Sequence, residues 1–187
     1  MKLLKTVLLS ILLAVSVVPT VGHAEALTYR HLDEELFLIT FPDDWFVDSD
    51  FVADARAAGT MKGGEPALRI LEAMPGDGTK LWFGIWVAPE KVTDLETALE
   101  YAASLDGYLF TDVRSSQPRD TTLGGMPAKT FSGLARRLGE EVEFAAALFQ
   151  PRAEVVTVAL YVGRPQTWAR HRDALEQIVD SIKPAAR

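Results

Sequence analysis

The sequence predicts an α+β layered domain, a mostly antiparallel sheet with one helix in the middle of the chain and one at its end. Three observations carry this. Apolar residues alternate with period two, or run β-branched and aromatic between turn residues, over many short segments. The period changes to helical spacing in two places, after Thr93 and after Pro165. Two long alternating arms flank Gly139, a hairpin signal that favours antiparallel pairing.

Before the domain lies a segment of another kind. Lys2 and Lys5 form a basic start, Val7 to Val18 is apolar apart from Ser10 and Ser16, and Pro19 breaks the run. Gly22-His23-Ala24 then places small residues three before and directly before a cut after Ala24, so residues 1–24 are expected to be a secretory signal peptide. The apolar run is shorter than the roughly 20 residues that span a bilayer, which disfavours an uncleaved anchor. Of 187 residues, 163 would remain, enough for one domain with its own core, residues 25–187. The expected location is the periplasm or the outside of the cell, with no stable membrane insertion after cleavage.

The elements follow in order. Leu36-Phe37-Leu38-Ile39-Thr40-Phe41 reads as a strand closed by the turn Pro42-Asp43-Asp44, after which Trp45-Phe46-Val47 resumes the chain. Phe51 to Ala58 and Ala67 to Ala73 read as strands separated by Gly59 and Gly63-Gly64. Met74-Pro75-Gly76-Asp77-Gly78 reads as a loop, and Lys80 to Ala88 as a strong strand. Thr93 with Glu96 three residues on suggests a capping box. Leu95, Ala98, Leu99, Ala102, Ala103 and Leu105 give that helix its apolar face, and Gly107 its stop.

Phe110 to Ser116 is the next strand, and Met126 to Leu138 and Glu141 to Gln150 form the hairpin around Gly139. In its second arm Val142, Phe144, Ala146 and Leu148 point one way while Glu141 and Glu143 point the other. Pro151-Arg152-Ala153-Glu154 turns the chain into Val155 to Val162, a β-branched run expected in a central strand. Pro165 suits the first turn of the last helix, where its missing N–H is not needed. Trp168, Leu175, Ile178, Val179 and Ile182 form the stripe, and Lys183-Pro184 ends it.

This order, with the Pro42-Asp43-Asp44-Trp45 turn, the Gly124-Gly125-Met126-Pro127-Ala128 strand start and the terminal Ile178-Val179-Asp180-Ser181-Ile182, resembles the PsbP-like fold. That fold is shared by the PsbP subunit of photosystem II, the Ran-binding Mog proteins and exported bacterial DcrB-type proteins. The resemblance covers most of the chain after residue 24. It implies an α/β/α sandwich with a central, mostly antiparallel sheet, serving as a non-catalytic binding or assembly module. It transfers no catalytic residue, because the family has no shared catalytic motif to match.

Charge and chemistry narrow the function. Without the first 24 residues the chain has 17 basic and 26 acidic residues, net −9, which disfavours nucleic acid and anionic lipid as partners. From Glu25 to Asp112 the net charge is −12, and from Val113 to Arg187 it is +3. Such asymmetry either serves solubility or orients a protein partner. The absence of cysteine excludes disulfides, thiol chemistry and a lipid-modified N-terminal cysteine.

After residue 24 the histidines are His31 and His171, and no Gly-x-Ser-x-Gly elbow accompanies them. His171 falls on the apolar stripe between Trp168 and Leu175 and is expected to pack beneath the helix. His31 precedes Asp33, Glu34 and Glu35 but lacks a second histidine for a metal site. Asp43, Asp44, Asp48 and Asp50 lack the spacing of a calcium loop, and a structural turn with Trp45 plugging the core is expected instead. Gly59, Gly63 and Gly64 match no phosphate-loop pattern. The expectation is therefore no enzyme, no metal and no cofactor.

Two candidate binding elements remain. In Leu81 to Val87, alternation puts Trp82, Gly84 and Trp86 on one face, so Gly84 could leave a groove between two indoles for an apolar or sugar-like ligand. The other reading is a central strand covered on both faces. Arg136 and Arg137, at the hairpin tip, are the candidate partner-binding pair, with a solvated turn as the alternative. The sequence thus points to an exported accessory, chaperone-like or inhibitor module that binds another exported or envelope protein. A small-ligand carrier using Trp82 and Trp86 is the first alternative, and a hydrolase with an unrecognised site is the second.

Overall fold

The computed structural model describes residues 26–49, 52–53, 68–106 and 109–186. The first half comprises β1 (Ala26–His31), β2 (Glu34–Thr40), β3 (Trp45–Asp48), β4 (Val52–Ala53), β5 (Leu68–Arg69), β6 (Leu71–Pro75), β7 (Leu81–Val87) and α1 (Leu95–Ser104). The second half comprises β8 (Thr111–Ser115), β9 (Arg119–Leu123), β10 (Met126–Arg137), β11 (Glu140–Arg152), β12 (Val155–Gly163), α2 (Pro165–Ser181) and β13 (Lys183–Pro184). The main sheet has the order β3-β6-β7-β12-β11-β10-β8, with β9 also paired to β10, and its paired strands run antiparallel.

Each face of this sheet buries its own core. On one face lie α2 and the small sheet β1-β2-β13, which enclose Phe37, Ile39, Phe83, Ile85, Phe149 and Ile178. On the other lies α1, over Trp86, Phe144, Leu148, Val158 and Leu160. Because β12 is covered on both sides, Val156 to Gly163 are all buried, and the strand shows no polar alternation. This is the α/β/α layering, with the β1-β2 hairpin sharing a layer with α2.

Local chemistry sets the ends of the elements. The β10-β11 turn is Leu138-Gly139, both at positive φ (52° and 81°), the backbone of a tight antiparallel hairpin. Helix α1 begins one residue later than the Thr93 reading. Asp94 is the N-cap; its carboxylate accepts from the Thr97 N–H at 2.8 Å, and the Thr97 hydroxyl accepts from the Asp94 N–H. A short polar side chain at Thr97 thus does the work expected of Glu96. Pro165 occupies the first turn of α2 as expected.

Other expectations shift. Strands β1 and β9 lie in segments the sequence left unassigned, being too polar to signal themselves. The strand expected over Ala67 to Ala73 is divided at Ile70, and β6 runs on through Met74-Pro75, expected to be loop. Of the strand expected over Phe51 to Ala58, only Val52–Ala53 is described. The signal segment, Gly59, Gly63, Gly64 and the Gly107 stop lie outside the described residues. Among the described residues, no helix is long and apolar enough to cross a membrane.

The hairpin face also carries a pH-sensitive contact. The Tyr29 ring stacks on Phe37 with centroids 4.7 Å apart, and burial pushes its phenol up to about 12, against an opposing hydrogen bond from the Val87 backbone. In that window the unfolded chain has released the Tyr29 proton while the folded chain keeps it, so stability falls as pH rises from about 10 to about 12. Burial pushes Tyr101 and Tyr161 in the same direction. Denaturant unfolding between pH 9 and 11.5 should therefore show falling stability, with a shallower decline in Tyr29→Phe. An unchanged decline in that variant would remove Tyr29 from this account.

Candidate functional site

The two helices differ in reach. With 17 residues, α2 spans about 26 Å; with 10 residues, α1 spans about 15 Å. Strand β11, beneath α1, has 13 residues and runs about 44 Å. A helix this short leaves part of the face without a lid. Its position is fixed by the buried indole of Trp86, whose Nε1–H donates to the Tyr101 hydroxyl at 3.3 Å. Tyr101 faces inward on α1, so this bond moors the helix to β7.

Away from that mooring the residues between helix and sheet are small. Helix α1 presents Ala102 and Ala103, and β11 presents Ala146 between Phe144 and Leu148. The result is an open cavity of about 320 Å³, near the lower end of the range for small-molecule sites. Its floor crosses four strands, from Val158 and Leu160 on β12, through β11 and Phe131 on β10, to Val113 on β8. Phe144 is held by aromatic neighbours: Phe110 stacks on it at 5.6 Å and Phe131 meets it edge-on at 6.3 Å.

The polar groups of this cavity gather toward β8, the edge strand. They are Asp106 just after α1, Ser115 at the end of β8, and Ser116. Ser116 is fixed by its neighbour: its N–H donates to the Ser132 carbonyl at 2.7 Å, and its hydroxyl accepts from the Ser132 N–H at 3.1 Å. No lysine, arginine or histidine lines the cavity among the described residues. Lys129, which bridges β10 and α1, pairs with Asp120 at 2.6 Å and Glu96 at 3.1 Å.

The sites expected from sequence lie elsewhere. Trp82, Gly84 and Trp86 do share the α1 face of β7, but they form no groove. Trp86 is buried in the core, and the Trp82 ring folds over Gly84, where an added Cβ would lie 2.1 Å from it. Glycine is required there because the indole takes the space a side chain would need. Arg137 caps the outer side of Trp82, its guanidinium 5.9 Å from the ring centroid. Its neighbour Arg136 donates to the Gly139 carbonyl at 2.8 Å, closing the hairpin turn. Both arginines are exposed, but each has a local structural contact.

His171 packs beneath α2 as expected, edge-on to Trp45 with centroids 6.2 Å apart. Its Nε2 lies 3.4 Å from Asp77 without the geometry of a hydrogen bond. His31 stands opposite Glu34 across the β1-β2 hairpin. Among the described residues, no three histidine, aspartate or glutamate side chains gather where they could hold a metal. The apolar stripe of α1 was legible in the sequence, but the cavity was not. Its signal was the coincidence of Ala102-Ala103 with Ala146, small residues where a closed core needs large ones.

No family model matches the chain, and no curated protein matches it. Solved structures do. The cyanobacterial PsbP of Synechocystis aligns at a TM-score of 0.52 and 12% identity, over 89% of this chain and 96% of that one. A Pseudomonas aeruginosa protein of unknown function aligns at 0.50 and 12%, over 87% and 99%. The Mycobacterium tuberculosis protein LpqN, involved in cell envelope biogenesis, gives 0.48 and 15%, over 88% and 93%. At these identities the likeness is one of fold, and the fold is PsbP-like.

Proposed function

We propose that this chain is an exported, non-catalytic binding module that takes an apolar group into the cavity between α1 and the sheet. The observation that carries the reading is the cavity of about 320 Å³, walled by leucine, valine, alanine and phenylalanine, with Asp106, Ser115 and Ser116 spaced along its β8 side. A preformed apolar cleft with a few convergent polar groups is the usual form of a small-molecule site. The described lining is apolar apart from Asp106, Ser115 and Ser116, the composition of a site that takes up an apolar group. The basic start, apolar run and small-residue cut site of residues 1–24 support export.

This reading takes up the small-ligand alternative of the sequence analysis rather than the protein-binding one, with the site at the Ala102 side of α1 instead of the Trp82 surface. A protein partner is a second reading, favoured by Phe46. This residue is 70% exposed on edge strand β3, beside Met74 at 43%, with Asp43 and Asp44 just before it in the chain. The carrier reading is tested with N-phenyl-1-naphthylamine, a neutral apolar fluorophore. Saturable enhancement at one probe per protein is expected. No enhancement with folded protein would contradict it.

A further inference from the structure

Resting on the cavity as the binding site, the geometry points to a ligand class: a single-chain amphiphile with a cationic, hydrogen-bond-donating head, its tail under α1 and its head at the β8 edge. The shape supplies the first half. From β12 to β8 the floor crosses three strand spacings, about 14 Å, and its character changes along that line. At the β12 end Val158, Leu160 and Leu148 offer only apolar surface; at the β8 end stand Asp106, Ser115 and Ser116. A slot that is apolar at depth and polar at the sheet's edge fits a tail with one polar end. A wholly apolar ligand would bury part of that polar rim against hydrocarbon, at a cost in desolvation.

Charge supplies the second half. The rim holds the Asp106 carboxylate beside Phe110 at one end of β8 and the Ser115 and Ser116 hydroxyls at the other, and no cation lines the cavity among the described residues. Lys129, the basic group moored to α1, is already paired with Asp120 and Glu96. A carboxylate or sulfate head would meet Asp106 with no compensating donor of positive charge. An ammonium head at the Phe110 end of β8 instead gives charge-assisted hydrogen bonds to Asp106.

The test is calorimetric titration of the exported protein with dodecylamine and with dodecanoate, each below its micelle concentration at pH 7. Butylamine serves as a control for binding of the bare head to the acidic surface. Dodecylamine should bind at one site at least tenfold more tightly than dodecanoate, and butylamine should show no saturable binding. Asp106→Asn should shrink the difference to less than threefold. Equal or tighter binding of dodecanoate would overturn the head assignment and leave the cavity reading standing. Saturable binding of butylamine, or an unchanged preference in Asp106→Asn, would also overturn it. Loss of both dodecyl ligands and the fluorophore in wild-type protein would overturn the cavity reading itself.

Discussion

Truncating Trp45 to alanine is expected to destabilise the domain by about 3–5 kcal/mol, a large part of the 5–15 kcal/mol typical of a domain. The residue starts β3, and its N–H bonds the Pro42 carbonyl at 3.0 Å to close the Pro42-Asp43-Asp44 turn. Its indole is buried against the α2 layer, edge-on to His171. The adjacent loop is tied to the same place, since the Gly76 N–H bonds the Asp44 carbonyl at 2.7 Å. Alanine would leave a void where strand, turn and helix meet, and neither strand nor turn can move in without breaking these bonds. Denaturant unfolding should show a lower midpoint with an unchanged slope, and Trp45→Phe should recover most of the loss. A loss under about 1 kcal/mol would show that the indole is not part of the core.

The second large effect separates packing from function at two alanines on the same helix. Ala98 is fully buried against the sheet, so Ala98→Phe forces its neighbours apart and should cost about 1–3 kcal/mol. Ala102, one turn along, faces the cavity. There a phenyl ring enters existing space, so Ala102→Phe should change stability by less than about 1 kcal/mol. Binding of N-phenyl-1-naphthylamine by that variant should nevertheless fall at least thirtyfold. Ala146→Leu, which raises the floor opposite, should act in the same direction. Probe binding that survives both changes would place the ligand outside this cavity.

The sequence made the architecture legible because the strongest strands were also the most buried. Leu81 to Val87 and Val155 to Val162 bury residues on both faces, and the Val142, Phe144, Ala146, Leu148 alternation put that arm's inner face where it lies. Strands β1 and β9 escaped because each is mostly exposed; in Arg119–Leu123 only Leu123 is buried. The α1 cap was read one residue early because Thr93-Glu96 and Asp94-Thr97 both have capping-box spacing, and only the backbone decides between them. The Trp82/Trp86 groove failed for a reason alternation cannot express. Period two assigns a side chain to a face, but not the rotamer that lays Trp82 over Gly84. The cavity was invisible for the complementary reason, since a void comes from small residues on α1 and β11 that are far apart in the chain.

The central claim is that the face of the sheet beneath α1 holds a ligand's apolar tail. Its most direct test is co-crystallisation with 12-bromododecylamine and location of the bromine by anomalous scattering. The account predicts one bromine peak between Ala102 of α1 and the Val158-Leu160 floor of β12, with the amine density reaching Asp106 at the β8 edge. A peak at Trp82 or over Phe46, or no peak in crystals grown at saturating ligand, would contradict it.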